Sequence, residues 1–130
     1  MQDRPNVDEL LEAVAGFLHD DVMPNTTGRL SFHARVAGNV IQMLRRELTM
    51  EEDTLEREWT GLDALLGPAA KPERLSELRA AVVTRNEELV ALIQAGEADG
   101  GEQRARTLWH LRASLRDKLA VSDPGLAAEA

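Results

Sequence analysis

Apolar residues recur along the chain at intervals of three and four, as they do in amphipathic α-helices. No segment shows the sustained alternation that marks a β-strand. Clusters of Pro, Gly and Asn interrupt this pattern at residues 23–28, 67–68, 96–101 and 123–125. Between these breaks the pattern predicts five helices, over about 7–23, 29–48, 51–66, 72–95 and 102–121. We therefore predict an all-α fold, an antiparallel bundle of about five helices.

Local signals support these helix limits. Asn6 followed by Glu9 has the spacing of a capping box, and Pro24 stops the first helix. Gly96 is placed to end the fourth helix. At 130 residues the chain has room for one hydrophobic core, so we expect a single domain over 1–130 whose ends, 1–5 and 124–130, are flexible.

Several polar side chains lie on or beside predicted apolar faces. His33 falls near the middle of a broad apolar arc on the second helix, and Arg35 and Asn39 lie just beyond the edge of that arc. Asn86 falls within the apolar stripe of the fourth helix, and Asp21 falls on the apolar face of the first. A buried polar group needs a hydrogen-bond partner.

Two interpretations of these residues stay open. In the first, His33, Asn39 and Asn86 are structural and satisfy backbone groups or fix helix register. In the second, His33, Arg35, Asn39 and Asp21 converge on a pocket for a small or anionic ligand, because Arg suits the bidentate capture of a carboxylate or phosphate.

The last helix has a second feature of interest. Trp109 lies with small residues on a face adjacent to a row of leucines. This face either packs in the core or forms a subunit interface, for which Trp109, Arg112 and Arg116 are the candidate residues.

Charge is unevenly distributed. The net charge of −8 disfavours nucleic acid as a partner. Residues 47–63 have a balance of −6, whereas residues 101–123 have a balance of +2. Two interpretations stay open: each segment is a solvated face, as most charge runs are, or the acidic and basic segments pair, either within the bundle or between subunits.

The chain lacks the residues of most familiar reaction centres. It contains no Cys, no inward-facing Glu-x-x-His pair, no P-loop and no dinucleotide-binding glycine motif. We therefore assign no catalytic, metal-binding or cofactor-binding residue, and the sequence favours a protein that is not an enzyme. The absence of a signal-like segment, a membrane span and cysteine indicates a cytoplasmic protein.

One motif resembles that of a known family. The segment 28–39, GRLSFHARVAGN, is similar to the signature of a bacterial family of small helical proteins of unknown function. The segments 10–14 and 108–124 agree with it. The resemblance implies genes encoded beside aminoglycoside-phosphotransferase-like kinases and acyl-CoA dehydrogenases, and hence an accessory role in small-molecule catabolism. It implies no catalytic residue.

These observations favour a helical accessory protein that binds a partner protein, with the phosphotransferase-like kinase or an acyl-CoA catabolic enzyme implied by the resemblance. The alternative is a bundle that binds a small molecule or acyl group, with or without catalysis, in a pocket around His33 and Arg35. We also expect a homodimer, because five helices in 130 residues leave a high surface-to-volume ratio.

Overall fold

The computed structural model describes residues 3–129 and contains no β-strand within that range. A π-helical turn, Phe17–Val22, continues the first helix. Among residues 3–129 there are five α-helices: α1 (Val7–Gly16), α2 (Gly28–Leu66), α3 (Leu75–Gln94), α4 (Gly101–Ser122) and α5 (Pro124–Ala127). The prediction of an all-α helical bundle with five helices is confirmed.

The start of α1 forms as its sequence predicts. The Asn6 side chain accepts a hydrogen bond from the Glu9 amide (2.9 Å), and the Glu9 carboxylate accepts one from the Asn6 amide (2.8 Å). This reciprocal pair satisfies two backbone donors that the first turn of a helix leaves free. The capping box is therefore confirmed.

The predicted break between a second and a third helix is wrong, because α2 runs without interruption for 39 residues. No Gly or Pro lies near Thr49, and its hydroxyl donates to the Arg45 carbonyl one turn earlier (2.9 Å). The acidic residues that follow are good helix formers. The helix ends at Leu66, where Gly67 has a φ of +94°.

The chain forms two compact units, Met1–Thr49 (unit 1) and Met50–Ala130 (unit 2), and the boundary falls within α2. The prediction of a single domain stays a prediction. Of the ends that we expected to be flexible, residues 1, 2 and 130 lie outside the described range. Residues 124–127 form α5, which begins where the Asp123 side chain accepts from the Leu126 amide (3.1 Å).

Unit 1 pairs α1 and its π-helical turn with the first part of α2 in an antiparallel arrangement. Arg45 donates to both carboxylate oxygens of Asp8, at 2.7 and 2.9 Å, and this contact lowers the pKa of Asp8. At the other end, the imidazole of His19 lies directly over Gly38, where any Cβ would come within 3.0 Å of the ring. The fully buried residues described in unit 1 are all small: Ala15, Ala34 and Gly38.

Unit 2 has an apolar core between α2 and α3. Trp59 and Leu62 on α2 pack against Leu78, Val82 and Leu89 on α3. All five side chains are at most 5% exposed, and Leu62 is completely buried. Burying side chains of this size contributes roughly 1.5–3 kcal/mol each, so this cluster is the main source of stability in unit 2.

Buried Arg85 joins this core to the end of α2. Its guanidinium lies 4.9 Å from the centre of the Trp59 ring, forms an ion pair with Asp63 and donates to the Gly67 carbonyl (2.6 Å). From α4, Arg106 donates to the Ala64 carbonyl. Two cations therefore satisfy carbonyl groups at the negative end of the α2 dipole.

Helix α4 packs against α2 at a second glycine. The imidazole of His110 lies over Gly61, and a Cβ added there would come within 3.0 Å of the ring. Arg57 on α2 pairs with Asp117 on α4 (3.0 Å), and Lys118 lies 3.5 Å from Glu58. These contacts hold the two helices close along one face of unit 2.

Among the helices of the described chain, none combines the length and the apolar character that crossing a bilayer requires.

We predict that Gly61→Ala lowers the stability of the protein by about 1–3 kcal/mol, because the new methyl group collides with the buried His110 ring. Chemical denaturation followed by circular dichroism measures this change. Gly16→Ala is the matched control, because the nearest atom to its Cβ is 3.8 Å away. The control should be neutral or stabilising by up to about 1 kcal/mol, and an unchanged Gly61→Ala protein would contradict the close packing.

Candidate functional site: the groove between α2 and α4

The most prominent surface feature of unit 2 is Trp109 on α4, whose side chain is 70% exposed. It borders two hollows between α2 and α4. The larger, of about 560 Å³, extends towards Asp53 and Asp117, and the smaller, of about 400 Å³, lies beside Gly61 and Leu65. We call the two hollows with Trp109 between them the α2/α4 groove.

The smaller hollow is mostly apolar, with His110 among its lining residues. This side chain is 3% exposed, and its Nε2 has no hydrogen-bond partner. Burial lowers the pKa of His110, Glu58 opposes that shift and Lys118 adds to it. Burial therefore favours the neutral imidazole, and its Nε2 is enclosed by the protein without a hydrogen-bond partner.

The larger hollow contains charged side chains as well as apolar surface. Charged groups line it on both helices: Asp53, Glu56, Arg57, Glu58, Arg116 and Asp117. Several of them are already paired, since Glu56 binds Lys71 (2.6 Å) and Arg57 binds Asp117. Between the acidic segment 47–63 and the basic segment 101–123, Lys118 lies 3.5 Å from Glu58. The Arg57–Asp117 pair joins the same two segments with the opposite signs.

The three candidate interface residues all lie on exposed parts of α4. Trp109 and Arg116 line the larger hollow, and Arg112 is exposed on the same helix. Exposed Trp and Arg side chains are the types that contribute most at protein interfaces. Their assignment to an interface stays a prediction.

The polar residues predicted around the second helix lie in unit 1, and their side chains are exposed. His33 accepts a hydrogen bond from Arg29 (3.0 Å), and Arg35 lies 5.5 Å from the centre of the Phe32 ring. Asn39 and Asp21 are exposed as well. Their exposure follows from the apolar face of α2 beside them, which is itself uncovered. A ligand pocket at these residues stays a prediction.

Asn86, the fifth predicted residue, lies in unit 2 and is half-buried. Its amide nitrogen donates to the Glu58 carboxylate on α2 (2.9 Å) and to the Val82 carbonyl (3.1 Å). A hydrogen bond between helices at this position favours one register of α3 against α2, which agrees with the structural interpretation.

Two functional positions were missed by sequence reasoning. Arg85 follows Leu78 and Val82 at heptad spacing, a signal that it lies on the buried stripe of α3, but a charged side chain is rarely buried unless paired. His110 does not belong to the leucine row of α4, so its spacing along the helix did not indicate burial. Its contact with Gly61 in the structure shows that it is buried.

No group of three or more metal-ligating side chains lies close together within residues 3–129.

Comparison with known proteins identifies a family. The model of a family described as a domain of unknown function, DUF6285, matches residues 24–126, so the chain belongs to that family. The match begins after α1 and its π-helical turn and includes the whole of α2, α3 and α4. Neither the curated proteins nor the solved structures gave a match.

We predict that His110 makes stability depend on pH. The unfolded chain binds a proton at this imidazole as the pH falls through about 6.5, whereas the folded chain resists protonation because its pKa is lowered. Stability should therefore fall between pH 7.5 and 5.5, and His110→Phe should reduce that fall while keeping a ring over Gly61. The melting temperature measured across this range tests the effect. Equal slopes for the wild-type protein and His110→Phe would refute the prediction.

Proposed function

We propose that this member of the DUF6285 family is a non-enzymatic accessory protein that binds a partner protein in the α2/α4 groove. The observation that carries the proposal is the 70% exposure of Trp109 between two hollows on one face. Leaving so large an aromatic surface in water is unfavourable, and covering it with a partner recovers that free energy.

The shape of the groove supports a partner with an apolar anchor. The smaller hollow can take one large aliphatic or aromatic side chain, and Trp109 offers its ring beside it. Interfaces derive most of their affinity from such central, well-enclosed contacts, while the polar rim excludes water. The charged groups of the larger hollow would form part of that rim.

The charge of the chain favours a partner with a basic surface. A net charge of −8 attracts cationic proteins and speeds their encounter at low ionic strength. We therefore expect the anchor residue to be accompanied by Lys or Arg.

The resemblance of segment 28–39 suggests which partner to test first. It implies neighbouring genes for phosphotransferase-like kinases and acyl-CoA dehydrogenases, and the kinase is our first choice. Bacterial origin rests on the same resemblance, and cytoplasmic location rests on the cysteine-free composition; both remain part of this proposal.

We predict that Trp109→Ala weakens capture of the kinase at least tenfold, as expected when a central aromatic contact is lost. Titration by calorimetry with the purified kinase and acyl-CoA dehydrogenase of one host measures the affinities. Val83→Ala is the matched control because Val83 is also more than half exposed but lies on α3, away from the groove residues described. No binding at micromolar concentrations to either enzyme, or equal affinities for both variants, would contradict the proposal.

A second candidate function is the binding of a small molecule in the smaller hollow. It is favoured by the unpartnered Nε2 of buried His110, because an unsatisfied polar group in an apolar cavity can gain a hydrogen bond from a ligand. The sequence placed the pocket of this candidate at His33 and Arg35 instead.

We predict that a ligand of this hollow raises the melting temperature of the wild-type protein and not that of His110→Phe. A panel of acyl-CoAs and phosphorylated metabolites is screened by thermal shift. His33→Ala distinguishes the two locations. If the ligand no longer raises the melting temperature of His33→Ala but still raises that of His110→Phe, the ligand binds at His33 and Arg35. If no compound of the panel raises the melting temperature of the wild-type protein, this candidate function is excluded.

A further inference from the structure

Unit 1 exposes an apolar surface on α2. At about 100° per residue, one set of large side chains falls within an arc of about 160° on this helix. We call this set the α2 face: Phe32, Val36, Val40, Met43, Leu44 and Leu48. Each is 37–61% exposed. Three polar residues, Arg29, His33 and Glu47, lie within the same arc and are exposed.

Burial within unit 1 does not compensate for this exposure. Its fully buried residues in the described range are Ala15, Ala34 and Gly38. A segment of this length rarely remains folded without a core of large apolar side chains, unless another chain supplies the missing cover. Monomeric proteins also rarely leave a contiguous apolar patch of more than a few hundred Å² in water.

The residues of the α2 face are arranged symmetrically, and this symmetry indicates what packs against the face. Residues at equal distances on either side of Val40 match in character: Val36 with Leu44, and Phe32 with Leu48. A two-fold axis at Val40 would therefore bring apolar residues against apolar residues along the whole contact. Such an isologous contact requires a surface that is complementary to itself.

The polar residues obey the same symmetry. His33 and Glu47 lie seven residues on either side of Val40, and Arg29 donates to the His33 ring (3.0 Å). One end of the face is therefore basic and the other acidic, about 21 Å apart along the helix. An antiparallel second copy places each basic end opposite an acidic end, whereas a parallel copy brings like charges together.

We propose that two copies of the chain form a symmetric dimer in which the α2 faces pack antiparallel about Val40. His33 of each chain lies opposite Glu47 of the other, and six large apolar side chains per chain are buried at the contact. The exposed apolar side chains of α1, Val7, Leu10 and Val14, take no part in it. The proposal uses only unit 1 and is independent of the function assigned to the α2/α4 groove.

The cysteine-free sequence allows a direct test of this register. We predict that Val40→Cys forms a disulfide-linked dimer under mild oxidation, because the two-fold axis brings the two new thiols together. Leu44→Cys is the control on the same face: its two copies lie about 12 Å apart along the helices, beyond disulfide reach. Val83→Cys is the control at an exposed valine of unit 2. Selective linkage at residue 40 supports the dimer, and equal linkage in the three variants overturns it.

Charge variants provide an independent measurement. Glu47→Lys makes both ends of the face basic, and Arg29→Glu with His33→Glu makes both ends acidic. Each protein alone should dissociate at least tenfold more readily than wild type, and an equimolar mixture should form a heterodimer of near wild-type stability. Light scattering should give wild type a mass near twice 14.3 kDa. A monomeric wild type at 100 μM, or a mixture as weak as its components, refutes the proposal.

Discussion

A helix of 39 residues with apolar side chains around much of its circumference needs other helices packed against it on more than one side. The packing in both units of the chain depends on this requirement. In unit 2 the requirement is met within the chain, because α3 covers Trp59 and Leu62 and α4 packs against Gly61. In unit 1, α1 covers one side of α2 and leaves the α2 face exposed. The two halves of one helix thus differ in how their apolar side chains are covered, and the proposed association with a second copy would cover the half that is exposed.

The position of the groove in unit 2 depends on two contacts at α2. Gly61 lets the buried His110 ring lie against the helix backbone, which sets how near α4 can come. Arg85 closes the end of α2 by binding the Asp63 carboxylate and the Gly67 carbonyl. A lone buried guanidinium would be costly, so its ion pair and its position beside Trp59 make it part of the core. The exposed Trp109 therefore lies on a helix that buried contacts fix against α2, as its proposed role in recognition requires.

The sequence predicted those parts of the structure that local chemistry determines. The Asn6–Glu9 cap, the end of the long helix at Gly67 and the helical class all follow from residue types at fixed spacings. The continuity of α2 at Thr49 was missed because segments 29–48 and 51–66 were assigned to separate helices, although no Gly or Pro stands between them. The burial of His110 and Arg85 depends on the contacts between helices, which spacing along one helix does not encode. Asn86 was recognised because its polar group interrupted an otherwise apolar stripe. Glu58 was not recognised as its hydrogen-bond partner.

Amide hydrogen exchange, measured by mass spectrometry at two protein concentrations, tests the central claim most directly. One helix supplies both the test segment and its control, since residues 29–48 carry the α2 face and residues 57–66 pack within unit 2. Antiparallel association through the α2 face predicts that protection of residues 29–48 rises between 1 and 100 μM protein, with no change in residues 57–66. Protection of residues 29–48 that is independent of concentration, in a protein that light scattering shows to be monomeric, would contradict the account.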